Sequence, residues 1–408
     1  MPYEPIKTAP IRTLSARWVI PVDSVPLENA RITLIGDRIG SIERGSGAST
    51  DLNFGNAAII PGLVNAHTHL DLTGLRGQAP PGADFTGWLR KVIAFRRSRA
   101  PVQVREDIRT GIAEALRYGT TLLGDISSDG TSRDLLADAP LRSIVYHEFL
   151  GLPVERARLA CERLEQWART ADSTANCRIG VSPHAPYSVR VALFETAGKC
   201  GLPVATHVAE SAEEMELLAS HRGPFVQFLH DVGAWDPDGL VKDADAVIRL
   251  LSSASATLFV HCNFLPATTV IPPPASIVYC PRTHAAFGHP PHPFRAFLSR
   301  GVRVAVGTDS LASNPDLDVL AEIRCVHDKY PDVPGHVLLR MATLAGAEAL
   351  GREDETGSLT AGKSADLVVV PLDAQDVSDP YRCLLESRRP VSAVFYRGQQ
   401  VWPVDTAA

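Results

Sequence analysis

A chain of 408 residues, 45% hydrophobic and 21% charged, is long enough for a large barrel plus an accessory unit and has an ordinary globular composition. Its formal charge of −6 and pI near 6.1 argue against a nucleic-acid partner, which usually needs a basic face. No basic-then-apolar leader opens the chain, and no apolar run approaches the roughly 20 residues of a membrane span, so a cytoplasmic protein with no membrane partner is expected.

In chain order, the N-terminal stretch shows short apolar runs broken by turns, at 18–20, 30–35 and 36–42, with Gly36-Asp37 reading as a hairpin turn. The far end reads the same way at 365–370 and 391–398. Both ends are therefore expected to form one small β-sandwich, residues 1–58 supplying one part and 353–408 the other, with 59–352 inserted between.

The middle alternates strand and helix. Apolar runs occur at 57–66, 120–124, 142–147, 178–183, 202–206, 256–261, 276–280 and 302–307. Between them, 103–118 places Val104, Ile108, Ile112 and Leu116 at helical spacing with Gly119 as the stop, and 154–170 behaves alike. Pro272-Pro273-Pro274 reads as a stiff loop after the sixth strand. Eight such strand–helix units predict an α/β fold, a (β/α)8 TIM barrel. The seven cysteines are odd in number, scattered and free of any Cys-x-x-Cys, and read as reduced core residues.

A TIM barrel carries its chemistry at the C-terminal ends of its strands. Reactive residues fall there in register: His67 and His69, Asp125, His147-Glu148, His184, His207 with Glu210, His261, Arg282 and His284, then Asp309. His67 and His69, two positions apart on a strand, share a face. Such a pair arises by chance among 13 histidines, but several strand exits in register reverse those odds. His67, His69, His207 and Asp309 form the expected ligand set for one divalent metal, zinc or ferrous iron, leaving a position for water. Asp309 as a helix cap is disfavoured, because Asn314-Pro315 is read as the cap and first position of the next helix.

Ser211 and Glu214 have the spacing of a capping box opening a helix through Leu218, and Glu213 reads as a solvated first-turn charge. Glu210 has no capping duty and sits at the barrel mouth, where it can carry a proton, and His261 is placed to orient the hydroxide or polarise the scissile centre. Arg90, Lys91, Arg96, Arg97 and Arg99 read mainly as a solvated face, with one of them within reach of an acidic substrate group. Arg282 and His284 receive no role.

Together these residues resemble the amidohydrolase superfamily, in its mononuclear branch of cytosine, guanine and adenosylhomocysteine/methylthioadenosine deaminases and triazine chlorohydrolases. The resemblance rests on Pro-Gly-Leu-Val-Asn-Ala-His-Thr-His at 61–69, His-x-x-Glu at 207–210, Val-His-Cys at 260–262, Gly-Thr-Asp-Ser at 307–310 and Gly-x-Leu-x-x-Gly-Lys-x-Ala-Asp-Leu at 357–367. It implies His67, His69, His207 and Asp309 as ligands, Glu210 as proton shuttle to a ring nitrogen, His261 as assistant to the attacking oxygen and Asp309 as base. It further implies that His184 touches substrate, that Trp88 lids the mouth and that homo-oligomers are common.

Two departures bear on substrate. Where the adenosylhomocysteine-type enzymes carry a ribose-binding Glu two residues before the loop Trp, this chain has Thr86. After the seventh strand it reads Cys-Pro-Arg-Thr-His rather than Pro-x-Ser-Asn, closer to aminodeoxyfutalosine-deaminase-like sequences. The leading expectation is hydrolytic deamination of an amino-substituted heterocycle, an adenine-type nucleoside or aminodeoxyfutalosine-like small molecule, by metal-activated water with release of ammonia. A chlorohydrolase or cyclic amidohydrolase using the same site is the alternative, and a non-catalytic barrel scaffold the remote one.

Overall fold

The computed structural model describes residues 10–45, 49–373 and 378–403; the outer segments of the two expected end units lie partly outside these. Eight parallel strands form the barrel: Leu63–Thr68, Thr120–Ser127, Arg142–Phe149, Cys177–Pro183, Val204–Val208, Thr257–His261, Ser276–Tyr279 and Val304–Val306. Each pairs in parallel with the next. A bridge between Thr68 and Asp309 joins the last strand exit to the first. The TIM barrel expected from the alternation is the observed architecture.

Both chain ends join in a separate eight-stranded sheet. Its order is Gln399–Trp402, Ala393–Tyr396, Leu367–Pro371, Ala57–Pro61, Ile11–Val19, Leu27–Ile35 and Arg38–Arg44, with Leu52–Asn53 beside Ile11–Val19. The sheet is mostly antiparallel, and Ile11–Val19 runs parallel to Ala57–Pro61. The Gly36-Asp37 hairpin forms as expected, Gly36 taking φ +61, a conformation glycine adopts without a Cβ penalty.

The run 57–66 is two strands rather than one. Ala57–Pro61 belongs to the terminal sheet, Ile59 facing Val369, and only Leu63–Thr68 enters the barrel. Both are fully buried, so no periodicity marks the change of sheet. The Gly62 N–H bonds the Asp366 carbonyl at 2.9 Å at the switch. Asp366 also accepts from Arg142, a buried side chain opening the third barrel strand, and from the backbone N–H of Arg397 at 3.0 Å. The 357–367 motif thus ties the terminal sheet to the barrel floor through a buried ion pair.

Helices Pro101–Arg117 and Val154–Thr170 form as their spacing predicts. The second barrel strand runs on to Ser127, so Asp125 lies within it, where its carboxylate accepts the Leu70 N–H at 2.9 Å. The helix after the eighth strand is Val319–Lys329, capped by Asp318 and not by Asn314. Asn314 instead donates to the Thr308 carbonyl at 2.7 Å and to the Glu322 carboxylate at 2.6 Å, staples that bind the Asp309 loop to that helix. The two alternatives have equal local signals, and long-range bonding selected between them. The seven cysteines form no disulfide with one another, and Cys177, Cys262, Cys280 and Cys383 are buried.

Candidate active site

The first strand ends at Thr68, yet His69 keeps extended backbone (φ −127, ψ 93) before the 3-10 turn Leu70–Leu75 begins. The i, i+2 relation therefore survives the end of the strand, and the two rings lie 4.9 Å apart between centroids. Asp309 Oδ1 lies 3.6 Å from His67 Nε2 and 3.7 Å from His69 Nε2, while His69 Nε2 and His207 Nε2 are 3.3 Å apart. A tetrahedron with metal–nitrogen bonds of about 2.0–2.1 Å has edges of ~3.4 Å, so these spacings are those of donors around one ion. Both ring nitrogens of His67 are buried without a hydrogen-bond partner. The donor set fits a divalent metal.

The surroundings orient these donors. His207 Nδ1 donates to the His184 carbonyl at 2.9 Å, which leaves the Nε2 lone pair facing inward. Ser313 Oγ donates to Asp309 Oδ2 at 2.8 Å, turning Oδ1 toward the imidazoles. Asn65 grips Thr308 twice, at 2.8 and 3.0 Å, locking the first strand to the eighth. Burial holds His69 and His207 well below the ordinary imidazole range, so both are neutral, the form that binds metal. Burial pushes the Asp309 carboxyl up, but the close approach of the imidazoles, His67 Nε2 at 3.6 Å first among them, outweighs that and lowers it.

Glu210 is buried, with Oε1 3.5 Å from His261 Nε2. Its burial, with Asp309 and Glu214 nearby, lifts its carboxyl well above the usual range, so it holds a proton. Ser211 caps helix Ala212–Ser220 by accepting the Glu214 N–H at 3.2 Å, as expected. The Glu214 carboxylate does more than the box required. It accepts the N–H groups of Ala209 and Glu210 at 2.8 and 2.9 Å, clamping the turn in which Ala209 adopts φ +51. Asn263 donates to the Glu210 carbonyl at 2.9 Å from the far side.

His261 reaches the same cluster, its ring 5.7 Å from that of His67. It stands at φ +69, and Asp309 at φ +59, left-handed backbone in non-glycine residues that marks strained functional positions. The strain at His261 is held by His292, whose Nε2 donates to the His261 carbonyl at 2.7 Å while its Nδ1 accepts the Phe294 N–H at 2.9 Å. Sequence reasoning gave His292 no role, since it lies in a loop rather than at a strand exit.

His184 and Trp88 both line the catalytic pocket. Trp88 is buried, donates its indole N–H to the Ala79 carbonyl at 3.0 Å and packs edge-on against Phe287. Other expected residues divide. His284 points away from the cluster, bonding the Pro290 carbonyl at 2.8 Å, and Arg282 pairs with Asp316 at 2.7 Å. His147 faces outward between Phe149 and Trp167, and its neighbour Glu148 faces inward. Among the basic residues of helix Phe85–Ser98, Arg90 pairs with the exposed Asp231. Arg96 turns into the barrel and bridges Asp71 at 3.3 Å and Glu148 at 3.0 Å. Only the packing of that helix over the mouth distinguishes Arg96 from its solvated neighbours.

The chain matches the Amidohydrolase family model over residues 58–405 and belongs to that family. It is 29% identical over 391 residues to a 5-methylthioadenosine/S-adenosylhomocysteine deaminase of Moorella thermoacetica, covering 89% of this chain and 86% of that one. An aminodeoxyfutalosine deaminase of Nitratiruptor is 27% identical, with 85% and 87% covered. In structure the chain is similar to an adenosine deaminase of Xanthomonas campestris solved with bound zinc, at TM-score 0.76 and 26% identity, covering 95% of this chain and 92% of that one. No helix among the described residues is long and apolar enough to cross a membrane.

Proposed function

We propose that this protein is a zinc-dependent hydrolytic deaminase acting on an adenine-type nucleoside or a close relative. The observation that carries the reading is geometric: two buried carboxyl groups share one pocket, Glu210 Oε1 3.5 Å from His261 Nε2 and Asp309 Oδ1 3.6 Å from His67 Nε2, and their surroundings push Glu210 up and Asp309 down. Two titratable groups pushed apart in this way supply an acid and a base at one pH. The deaminase names of the relatives agree with that chemistry.

His67, His69, His207 and Asp309 would hold the ion. When bound, it supplies Lewis acidity that brings the pKa of water from 15.7 toward about 7. Asp309 takes one proton from the attacking water. Glu210 delivers its proton to the ring nitrogen beside the amine-bearing carbon, and His261 Nε2, 3.5 Å from Glu210 Oε1, orients the incoming oxygen. The carbon becomes tetrahedral; the amine receives the proton from Asp309 and leaves as ammonia. The remaining hydroxyl proton returns to Glu210, so atoms and charge balance. Trp88 and Leu72 wall the pocket against bulk water.

The test is ammonia release across adenine and guanine, their nucleosides, methylthioadenosine and aminodeoxyfutalosine, with elemental analysis of the same preparation. Near-stoichiometric zinc and turnover of at least one aminopurine compound are expected. Glu210→Gln should lower kcat by about 10²–10⁴ while keeping the metal. Turnover in which chloride or a ring-opened amide is released and ammonia is not overturns the reading.

A further inference from the structure

A cavity of about 400 Å³ opens beside the catalytic pocket, walled by apolar residues such as Val92, Ile93, Leu152, Phe228 and Leu229. Arg96, His184 and Tyr187 line both spaces, and Glu148 stands at their junction. Glu148 is 2% exposed. One of its oxygens, Oε2, accepts from Arg96 Nη1 at 3.0 Å, but the other, Oε1, is buried with no hydrogen-bond partner. Its polar neighbour is His184 Nε2 at 3.8 Å, too far for a hydrogen bond.

That gap has a chemical reason. The Ser188 hydroxyl donates to the Ala185 carbonyl at 3.1 Å, so at its 2.7 Å contact with His184 it is the acceptor and His184 Nδ1 carries the hydrogen. With the hydrogen on Nδ1, Nε2 is a lone pair, and its 3.8 Å separation from Glu148 Oε1 is too long for the charge-assisted bond a doubly protonated ring would make there. Glu148 Oε1 and His184 Nε2 are therefore two acceptors side by side, neither able to satisfy the other. A buried acceptor without a donor is costly and calls for a ligand. A cation would suit two acceptors, and Glu148, His184 and His207 do cluster. However, the Arg96 guanidinium already touches Glu148 at 3.0 Å and repels a second positive charge there. Two neutral donors remain.

We propose that Glu148 Oε1 and His184 Nε2 form a two-acceptor clamp for a pair of adjacent hydroxyls on the substrate, one donated to each. The amino-heterocycle then sits at Glu210, the diol at the junction, and an apolar substituent beyond the diol fills the 400 Å³ cavity. The substrate class is an aminopurine joined to a polyol, with an apolar tail. This rests on the deaminase reading for the position of the ring. Thr86 offers no carboxylate from the loop, so the acceptor comes from the barrel wall instead.

The test compares an adenine ribonucleoside carrying a 5′ apolar group with its 2′,3′-dideoxy counterpart. Two hydrogen bonds, one to a charged acceptor, predict a kcat/KM preference of roughly 10–100-fold for the diol, expressed mainly in KM. In Glu148→Gln the amide oxygen faces Arg96 and its NH2 meets His184 Nε2, closing the clamp on itself. That variant should reduce the preference to about threefold or less while retaining metal and a cooperative melt. His184→Phe removes the other acceptor and should shrink the preference independently. A preference that survives both substitutions, or a wild type indifferent to the diol, overturns the clamp. Calorimetric binding of the same two compounds decides it without turnover, equal affinity being the contrary result. Absence of ammonia release with selective diol binding intact counts against the deaminase reading alone.

Discussion

The backbone N–H of Asp309 donates to the carbonyl of His67 at 3.0 Å, and its Oδ1 lies 3.6 Å from Nε2 of the same residue. The last strand exit is thus pinned to the first by main chain and faces it by side chain. Closing the barrel and assembling the donor set are one event.

Gly307 makes that approach feasible. A Cβ there would sit 2.8 Å from both the Cβ and the carbonyl oxygen of His67, closer than real contacts allow. Gly307→Ala should displace the first strand exit, costing about 1–3 kcal/mol of stability and about 10–100-fold in metal affinity. Denaturant unfolding and metal titration check it; an alanine variant with unaltered affinity would show that the exits tolerate separation.

His292 holds the His261 carbonyl in its left-handed turn, and under the proposed mechanism it would act on catalysis without touching substrate. His292→Leu should lower kcat by at least tenfold, with KM and bound metal little changed, since a misplaced catalytic group costs rate. His292→Gln, which can both donate and accept, should recover most of the loss. Equal defects in the two variants would mean that the ring fills space and does no more.

The terminal sheet depends on the barrel through Asp366. Its carboxylate is buried beside Arg142, and removing it leaves that buried guanidinium with Glu355 alone, a more exposed carboxylate at 3.1 Å. Asp366→Ala should cost about 3–5 kcal/mol, the typical penalty for breaking a buried pair. The variant should remain active at low temperature and melt early in a calorimetric scan. A loss below about 1 kcal/mol, the range of exposed pairs, would contradict the linkage.

Acid stability should carry the signature of Glu148. Burial alone would raise its carboxyl, but the Arg96 guanidinium, which also hydrogen-bonds it, brings it down to about 2. An unfolded glutamate titrates near 4.3, so the folded value is depressed. The stabilisation is therefore present in full above the unfolded pKa and is lost as pH falls toward 2. Its size is roughly 3 kcal/mol across that window. Unfolding free energies measured at stepped pH should fall less steeply for Glu148→Gln than for the parent between pH 5 and 3. Parallel curves would remove Glu148 as the source.

Much of the fold was readable because strand–helix alternation and turn residues are local signals. The positions of His67, His69, His207, Glu210, His261 and Asp309 were readable because the ends of apolar runs locate the barrel mouth. Local pattern failed where two equivalent readings competed. The 57–66 run split between two sheets, and Asn314 served as a staple rather than a cap.

What the amino-acid sequence determined by itself is the chemistry available at the barrel mouth, because a strand's end and its residue types are both written locally. What only the tertiary structure decided is how each group is used. Parity along one strand turned Glu148 inward and His147 outward, and helix packing selected Arg96 from a row of similar arginines. The unpartnered acceptor beside the apolar cavity exists because residues 96, 148 and 184, far apart in the chain, line the same cavity. Hydrogen bonding and burial at such a junction depend on every element around it, and no short stretch of sequence records them.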